Sequence, residues 1–162
     1  MANNPNFQKN TFTFTRTHDL LNSELQFYNS GNNYYFAVWS ETNKIVVAGS
    51  HDNGQTFSNP KDVLELENTL KDVQFLAQNE KFVVAITEKG TTSTTVRAAY
   101  GHLDIQANQI VSQECPNRHV ITNGEVLNVH LVFVDYQQGI TEEHVFISTG
   151  GDVIEEETGR HP

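Results

Sequence analysis

Basic residues are scarce in this chain: ten Lys and Arg stand against twenty Asp and Glu, and the formal net charge is −10. Nucleic-acid binders and proteins that dock on anionic membranes present basic clusters; none exists here, which argues against both partners. Cysteine is nearly absent, and Cys115 alone cannot form an internal disulfide. It lies in Glu114-Cys115-Pro116-Asn117 with His119 as its one nearby base. Without the signature of a thiol enzyme it reads as a free loop cysteine. No apolar run is long enough to span a bilayer. Met1-Ala2-Asn3-Asn4-Pro5 lacks the basic and apolar regions of a leader, so a soluble chain without a signal peptide is expected, its compartment unspecified. Gly-rich phosphate loops and Gly-x-Ser-x-Gly elbows are missing too. So is any sustained 3.6-residue apolar stripe, which removes amphipathic helices.

What remains favours strands. Ten Phe, five Tyr and many Val, Ile and Thr suit a pleated surface, while the abundant Asn suits turns. The prediction is an all-β chain of one domain. Residues 1–9 form a loose arm, and Thr11-Phe12-Thr13-Phe14-Thr15-Arg16-Thr17 alternates with the period of a strand within residues 10–19. Leu25 to Tyr28, Tyr34 to Glu41 and Lys44 to Gly49 follow as strands, and Phe57 to Leu64 as an outer strand whose Pro60 fits an edge.

This unit repeats. Val73-Gln74-Phe75-Leu76 resembles Leu25-Gln26-Phe27-Tyr28, and Phe82 to Glu88 resembles Tyr35 to Glu41. Thr95 to Ala99 and Asn108 to Ser112 complete the second copy. The third runs His119-Val120-Ile121, then Val129 to Asp135, then His144 to Ser148. Trp39, Ile86 and Phe133 take the same place, since 86 − 39 = 47 and 133 − 86 = 47. Four short strands with a period near 47 predict propeller blades over residues 20–66, 67–115 and 116–155, with 156–162 as an acidic tail; the acid excess is concentrated at Glu155-Glu156-Glu157.

The third and fourth strands of the first copy enclose Ser50-His51-Asp52-Asn53-Gly54-Gln55-Thr56-Phe57. Asp52 can accept bonds from its own turn, Gly54 can take a positive φ, Ser50 and Thr56 can bond the remaining groups, and Phe57 can cover the hairpin. Ser50-x-Asp52-x-Gly54-x-Thr56-Phe57 resembles the Asp-box, or BNR repeat, of sialidase-like β-propellers, which joins the third and fourth strands of a blade. Tyr100 to Asp104 and Ser148 to Asp152 stand at the equivalent places with most of the pattern lost. The resemblance implies a structural turn remote from the ligand face.

Closed propellers have about four to eight blades, and three would expose two large apolar faces. Two chains of three give the six blades that the resemblance implies, and a two-fold dimer is the commonest closed oligomer. The expected arrangement is a homodimeric ring in which residues 11–17 of one chain form the outer strand of the other's third blade. The plainer alternative gives that place to Asp152 to Glu156.

Sialidase resemblance also implies an arginine triad, a Tyr–Glu nucleophile pair, an acidic acid/base and an Arg-Ile-Pro motif. Only Arg16, Arg97, Arg118 and Arg160 are present, none before Ile-Pro. Arg97 falls in a peripheral third strand, so no triad assembles and no catalytic residue is assigned. Glu41, Glu88 and Asp135, with Tyr136, lie at the ends opposite the Asp-box turns. They are the candidate ligand-binding residues, for a glycan, a protein or Ca²⁺, against the plainer reading of solvated strand ends. The histidines His18, His51, His102, His119, His130, His144 and His161 show no zinc spacing, so no metal site is assigned. Trp39 reads as core, and Tyr34, Tyr100 and Tyr136 could stack on a sugar. The expected function is a non-enzymatic recognition or structural module binding a glycan or protein. The alternatives are a glycosidase-like enzyme with a site across a dimer and a component of a surface or virion assembly.

Overall fold

The computed structural model describes residues 25–41, 43–122, 128–135, 141–148 and 153–161, with side chains as far as Ile121. All regular structure in these residues is β. The strands are β1 Gln26–Gly31, β2 Tyr34–Glu41, β3 Lys44–Ser50, β4 Lys61–Glu65, β5 Thr69–Gln78 and β6 Lys81–Lys89. They continue with β7 Ser93–Asp104, β8 Gln109–Glu114, β9 His119–Thr122, β10 Asn128–Asp135, β11 Thr141–Ser148 and β12 Val153–His161. Three sheets result, in the orders β1-β2-β3-β4, β5-β6-β7-β8 with β9 on β7, and β10-β11-β12. The predicted strand Thr11 to Thr17 lies outside the described residues. So do Tyr136 and most of Ser148 to Asp152.

The repeat survives in three dimensions. β2, β6 and β10 begin at Tyr34, Lys81 and Asn128, with 81 − 34 = 47 and 128 − 81 = 47. Each opens a hairpin to the next strand. β1 to β4 and β5 to β8 each run as a meander of consecutive strands.

Contacts divide the chain into two compact units, the first comprising Met1–Glu65, Ala77–Lys81 and Gly101–Ser112. Within it, β2 and β3 pair in the register Phe36↔Gly49, Ala37↔Ala48, Val38↔Val47 and Trp39↔Val46. Side chains alternate across a sheet, so these pairs serve two faces. On one face Ala37, Trp39, Val46 and Ala48 form a buried cluster with Leu25 and Phe57 against it. On the other, a Cβ built at Gly49 would lie 3.1 Å from Ile110 Cδ1, 3.2 Å from Phe36 Cε1 and 3.3 Å from Leu103 Cδ1. The end of the β7–β8 hairpin therefore packs on Gly49, and both faces of β2 are buried.

The hairpin turns of this unit rest on asparagine. Asn32, Asn33 and Asn79 adopt left-handed backbones with φ of 49°, 71° and 53°. Among side-chain-bearing residues Asn tolerates that region best. Asn32 Nδ2 donates to Asn79 Oδ1 at 2.9 Å. Ser30 Oγ donates to the Asn79 carbonyl and the Asn79 N–H returns a bond to the Ser30 carbonyl, both at 2.6 Å. Since 79 − 32 = 47, equivalent turns of successive copies are bonded to one another.

The second unit comprises Leu66–Leu76, Phe82–Tyr100 and Gln113–Pro162. Phe82, Val83, Val84, Ala85 and Ile86 of β6 are all buried in an unbroken run. Such a strand is covered on both faces. Phe75 stacks on Phe82 with ring centroids 5.6 Å apart.

Several boundaries differ from the sequence reading. β7 continues through Tyr100 to Asp104, the stretch aligned with the Asp-box, and the turn falls at residues 105–108. There Asp104 Oδ1 accepts the Ala107 N–H at 3.2 Å and Asn108 has φ of 52°. His119 to Ile121, assigned to the third copy, pair instead with β7 as Val96↔His119, Thr95↔Val120 and Thr94↔Ile121. The acidic run Glu155 to Glu157 belongs to β12, which pairs with β11 as Phe146↔Glu155, Val145↔Glu156 and His144↔Glu157. Those residues are thus the outer strand of the third sheet, and what was read as the tail from residue 156 is strand up to His161.

Candidate functional site

The turn from Ser50 to Phe57 is bonded almost wholly to itself. Asp52 Oδ1 accepts the N–H groups of Gln55 and Thr56 at 3.1 and 2.9 Å and the Ser50 hydroxyl at 2.7 Å. Asp52 Oδ2 accepts the Thr56 hydroxyl at 2.5 Å. Ser50 Oγ in turn accepts the Gly54 N–H at 2.9 Å. Gly54 has φ of 78°, which a glycine takes without strain. Burial alone pushes the Asp52 carboxyl up, but bonds from Thr56, Ser50 and Gln55 together outweigh it and hold the group below the ordinary carboxylate range. Phe57 lies edge-on to Phe27, centroids 6.1 Å apart, over the Trp39 cluster. Asn53 N–H donates to the Asn33 carbonyl at 3.0 Å, which ties the loop to the β1–β2 turn. With its acceptors turned inward, this carboxylate fastens a hairpin.

The chemistry of the second unit centres on a pair of charges in its interior. Glu88 is 1% exposed and Arg97 is 2% exposed. Their contact, Arg97 Nη1 to Glu88 Oε1, is 2.9 Å. A charge carried into the interior is costly unless paired and hydrogen-bonded. Glu88 meets the second condition through Oε2, which accepts the N–H groups of Glu67 and Asn68 at 2.6 and 3.0 Å. Arg97 meets it through Glu114: Nε donates to Oε2 at 3.2 Å, and Nη2 reaches both oxygens at 3.1 Å.

A second fork stands at the surface. Arg118 donates from Nη1 and Nη2 to the two oxygens of Glu67 at 2.6 and 2.7 Å, and Nη2 also reaches Glu114 Oε2 at 3.2 Å. Hydrogen bonding to Arg118 is the largest influence on Glu67 and holds its carboxyl below the usual range; the same contact raises Arg118 further. The network joins β6, β7, the end of β8 and the connections before β5 and β9. It has three carboxylates and two guanidinium groups.

Glu88 therefore does not serve as an open ligand residue; it holds the β4–β5 connection. Glu41, its counterpart in the first copy, is half-buried and accepts the Trp39 indole N–H at 2.8 Å. Asp135 ends β10, with its side chain beyond those described. Arg97, read as peripheral, is the most enclosed cation of the network. The clue was available: an arginine inside Thr95-Val96-Arg97-Ala98-Ala99 calls for a buried counter-charge. Tyr34 is partly buried at the start of β2, and its hydroxyl is raised chiefly by burial and secondly by the charge of Glu80. Tyr100 lies within β7. His130 pairs with Phe146 and His144 with Val132, so they are not cross-strand partners.

Among the described residues no group of three or more His, Cys, Asp or Glu is arranged to hold a metal ion, and no helix is long and apolar enough to cross a membrane. At Glu88 the donor set also disagrees with Ca²⁺, because both oxygens already accept bonds from the chain. No family model, curated protein or solved structure matches the chain.

Proposed function

We propose that this protein is a non-enzymatic recognition or structural module of the sialidase-like β-propeller type, whose three blades are completed to six by a second copy. The observation that carries the reading is the 47-residue spacing of β2, β6 and β10, each opening a hairpin of its own sheet. In support, two of the sheets are four-stranded meanders, and the loop between β3 and β4 has the self-bonded geometry an Asp-box requires. The third sheet has three strands among the described residues, with β12 beside β11. That pairing favours the alternative in which the stretch Asp152 to Glu156, and not residues 11–17 of the second copy, supplies the outer strand of the third blade.

The ligand in this reading is a glycan or a protein, bound at the strand ends that carry Glu41, Asp135 and Tyr136, with Glu88 serving as scaffold. The glycosidase alternative has less support, because Arg97 is committed to Glu88 and Glu114 and cannot also clamp a substrate carboxylate. Light scattering on the purified chain tests the ring: a mass of two subunits is expected, and a stable monodisperse monomer would sink the proposal. A glycan array then tests the ligand class. Turnover of a fluorogenic sialoside that is lost on acidic-to-amide substitution would replace the binding module with an enzyme.

A further inference from the structure

The chain contains two Asn-Gly steps, Asn53-Gly54 and Asn123-Gly124. This dipeptide is the one most prone to spontaneous deamidation, because glycine places no side chain in the way of ring closure. The glycine backbone nitrogen attacks the asparagine side-chain carbonyl carbon, a C–N bond forms, and the side-chain nitrogen leaves as ammonia. Water then opens the succinimide to aspartate or isoaspartate, and no oxidant or reductant takes part.

At Asn53 the reacting groups are held apart. The asparagine is exposed with φ of 63°, but Gly54 is buried. Its nitrogen, the nucleophile, donates its proton to Ser50 Oγ at 2.9 Å. Ser50 is itself 1% exposed and donates onward to Asp52 Oδ1 at 2.7 Å. An attack needs the Gly54 nitrogen deprotonated and turned toward Asn53; the bond to Ser50 opposes both. Asp52 cannot drive the deprotonation through Ser50, because a carboxylate that already accepts several bonds is a weak base.

We infer that Asn53-Gly54 is a latent deamidation site which the Gly54 N–H to Ser50 Oγ bond keeps closed, so that conversion at Asn53 occurs only when the β3–β4 hairpin opens. Isoaspartate would add a methylene to the main chain between Asp52 and Gln55. The two bonds that Asp52 Oδ1 accepts from Gln55 and Thr56 depend on that spacing. Each opening that ends in conversion is thus not reversed by refolding.

The test is peptide mapping by mass spectrometry after incubation in mildly alkaline buffer, comparing native protein with the chain denatured in urea. Conversion at Asn53 is expected to be at least about tenfold slower in the native protein, the factor that an opening free energy of about 1.4 kcal/mol imposes. Equal rates in the two states overturn the inference. In a Ser50→Ala variant that circular dichroism shows to be folded, conversion at Asn53 should rise toward the denatured rate. An unchanged rate in that folded variant overturns the role given to Ser50. Should Ser50→Ala fail to fold, the native-to-denatured comparison on the unaltered chain decides alone.

Discussion

Asp52 and Arg97 are both charged residues whose bonding capacity is spent inside the chain, and they differ in what their loss leaves behind. Removing Asp52 frees two backbone N–H groups and the Thr56 hydroxyl at exposed residues, where water can take over, and leaves the Ser50 hydroxyl short of one acceptor in the interior. Asp52→Ala is expected to cost about 1–3 kcal/mol, read from urea unfolding. Removing Arg97 leaves Glu88, a side chain in the interior, with no cation against it. Arg97→Ala should therefore cost more, about 3–5 kcal/mol. The double change Arg97→Met with Glu88→Gln, which removes both charges, should recover part of that loss. If the double variant proves no more stable than Arg97→Ala, the pair is not what makes the single change costly. Arg97 also shows where local reading of the sequence ends. Its hydrogen-bonded carboxylate partners lie nine residues back and seventeen ahead. The self-bonded turn around Asp52 was legible because every bond of that side chain closes within four residues.

Between elements, space decides as much as charge. Gly49 on β3 sits where a side chain would press on Ile110, Phe36 and Leu103 at once. Gly49→Ala should overpack that contact and cost about 1–3 kcal/mol, measured as a lowered denaturation midpoint. β2 was legible to its end residues, because an aromatic and β-branched run is bounded by turns on both sides. β4 was not: Phe57 packs on the Trp39 cluster and Ser58 exchanges bonds with Gly49, its N–H donating to the Gly49 carbonyl at 2.7 Å and its Oγ accepting the Gly49 N–H at 3.0 Å. The strand therefore begins only at Lys61, past Pro60. β9 was placed in the wrong sheet because four residues, His119–Thr122, carry no local preference between β7 and a later partner. β7 runs on through Asp104 because Tyr100 to Asp104 alternate between partly exposed and buried positions, as a strand does.

For the whole molecule, acid should be the effective denaturant. The carboxyls of Glu67 and Asp52 are held below ordinary values of 4.5 and 3.8 in the folded chain. For a lowered group the unfolded state binds more protons as pH falls. Its stabilisation is complete above the ordinary value and disappears as pH drops through the folded one. The midpoint for urea unfolding should thus be flat at neutral pH and fall below about pH 4.5. Glu67→Gln should make that fall shallower. Added salt should also weaken the Glu67–Arg118 fork, because both side chains are substantially exposed.

The bond from Asn32 to Asn79 gives the repeat a direction. Donor and acceptor are the same residue one copy apart, so each copy presents an unlike pair of ends, as the links of a chain do. A head-to-tail contact of this kind either closes on itself or extends without limit. The next position in the series, 79 + 47 = 126, is Val126, whose side chain has no amide to offer or accept. By its sequence alone, then, an amide pair at this place can be made between the first two copies and not handed on to the third.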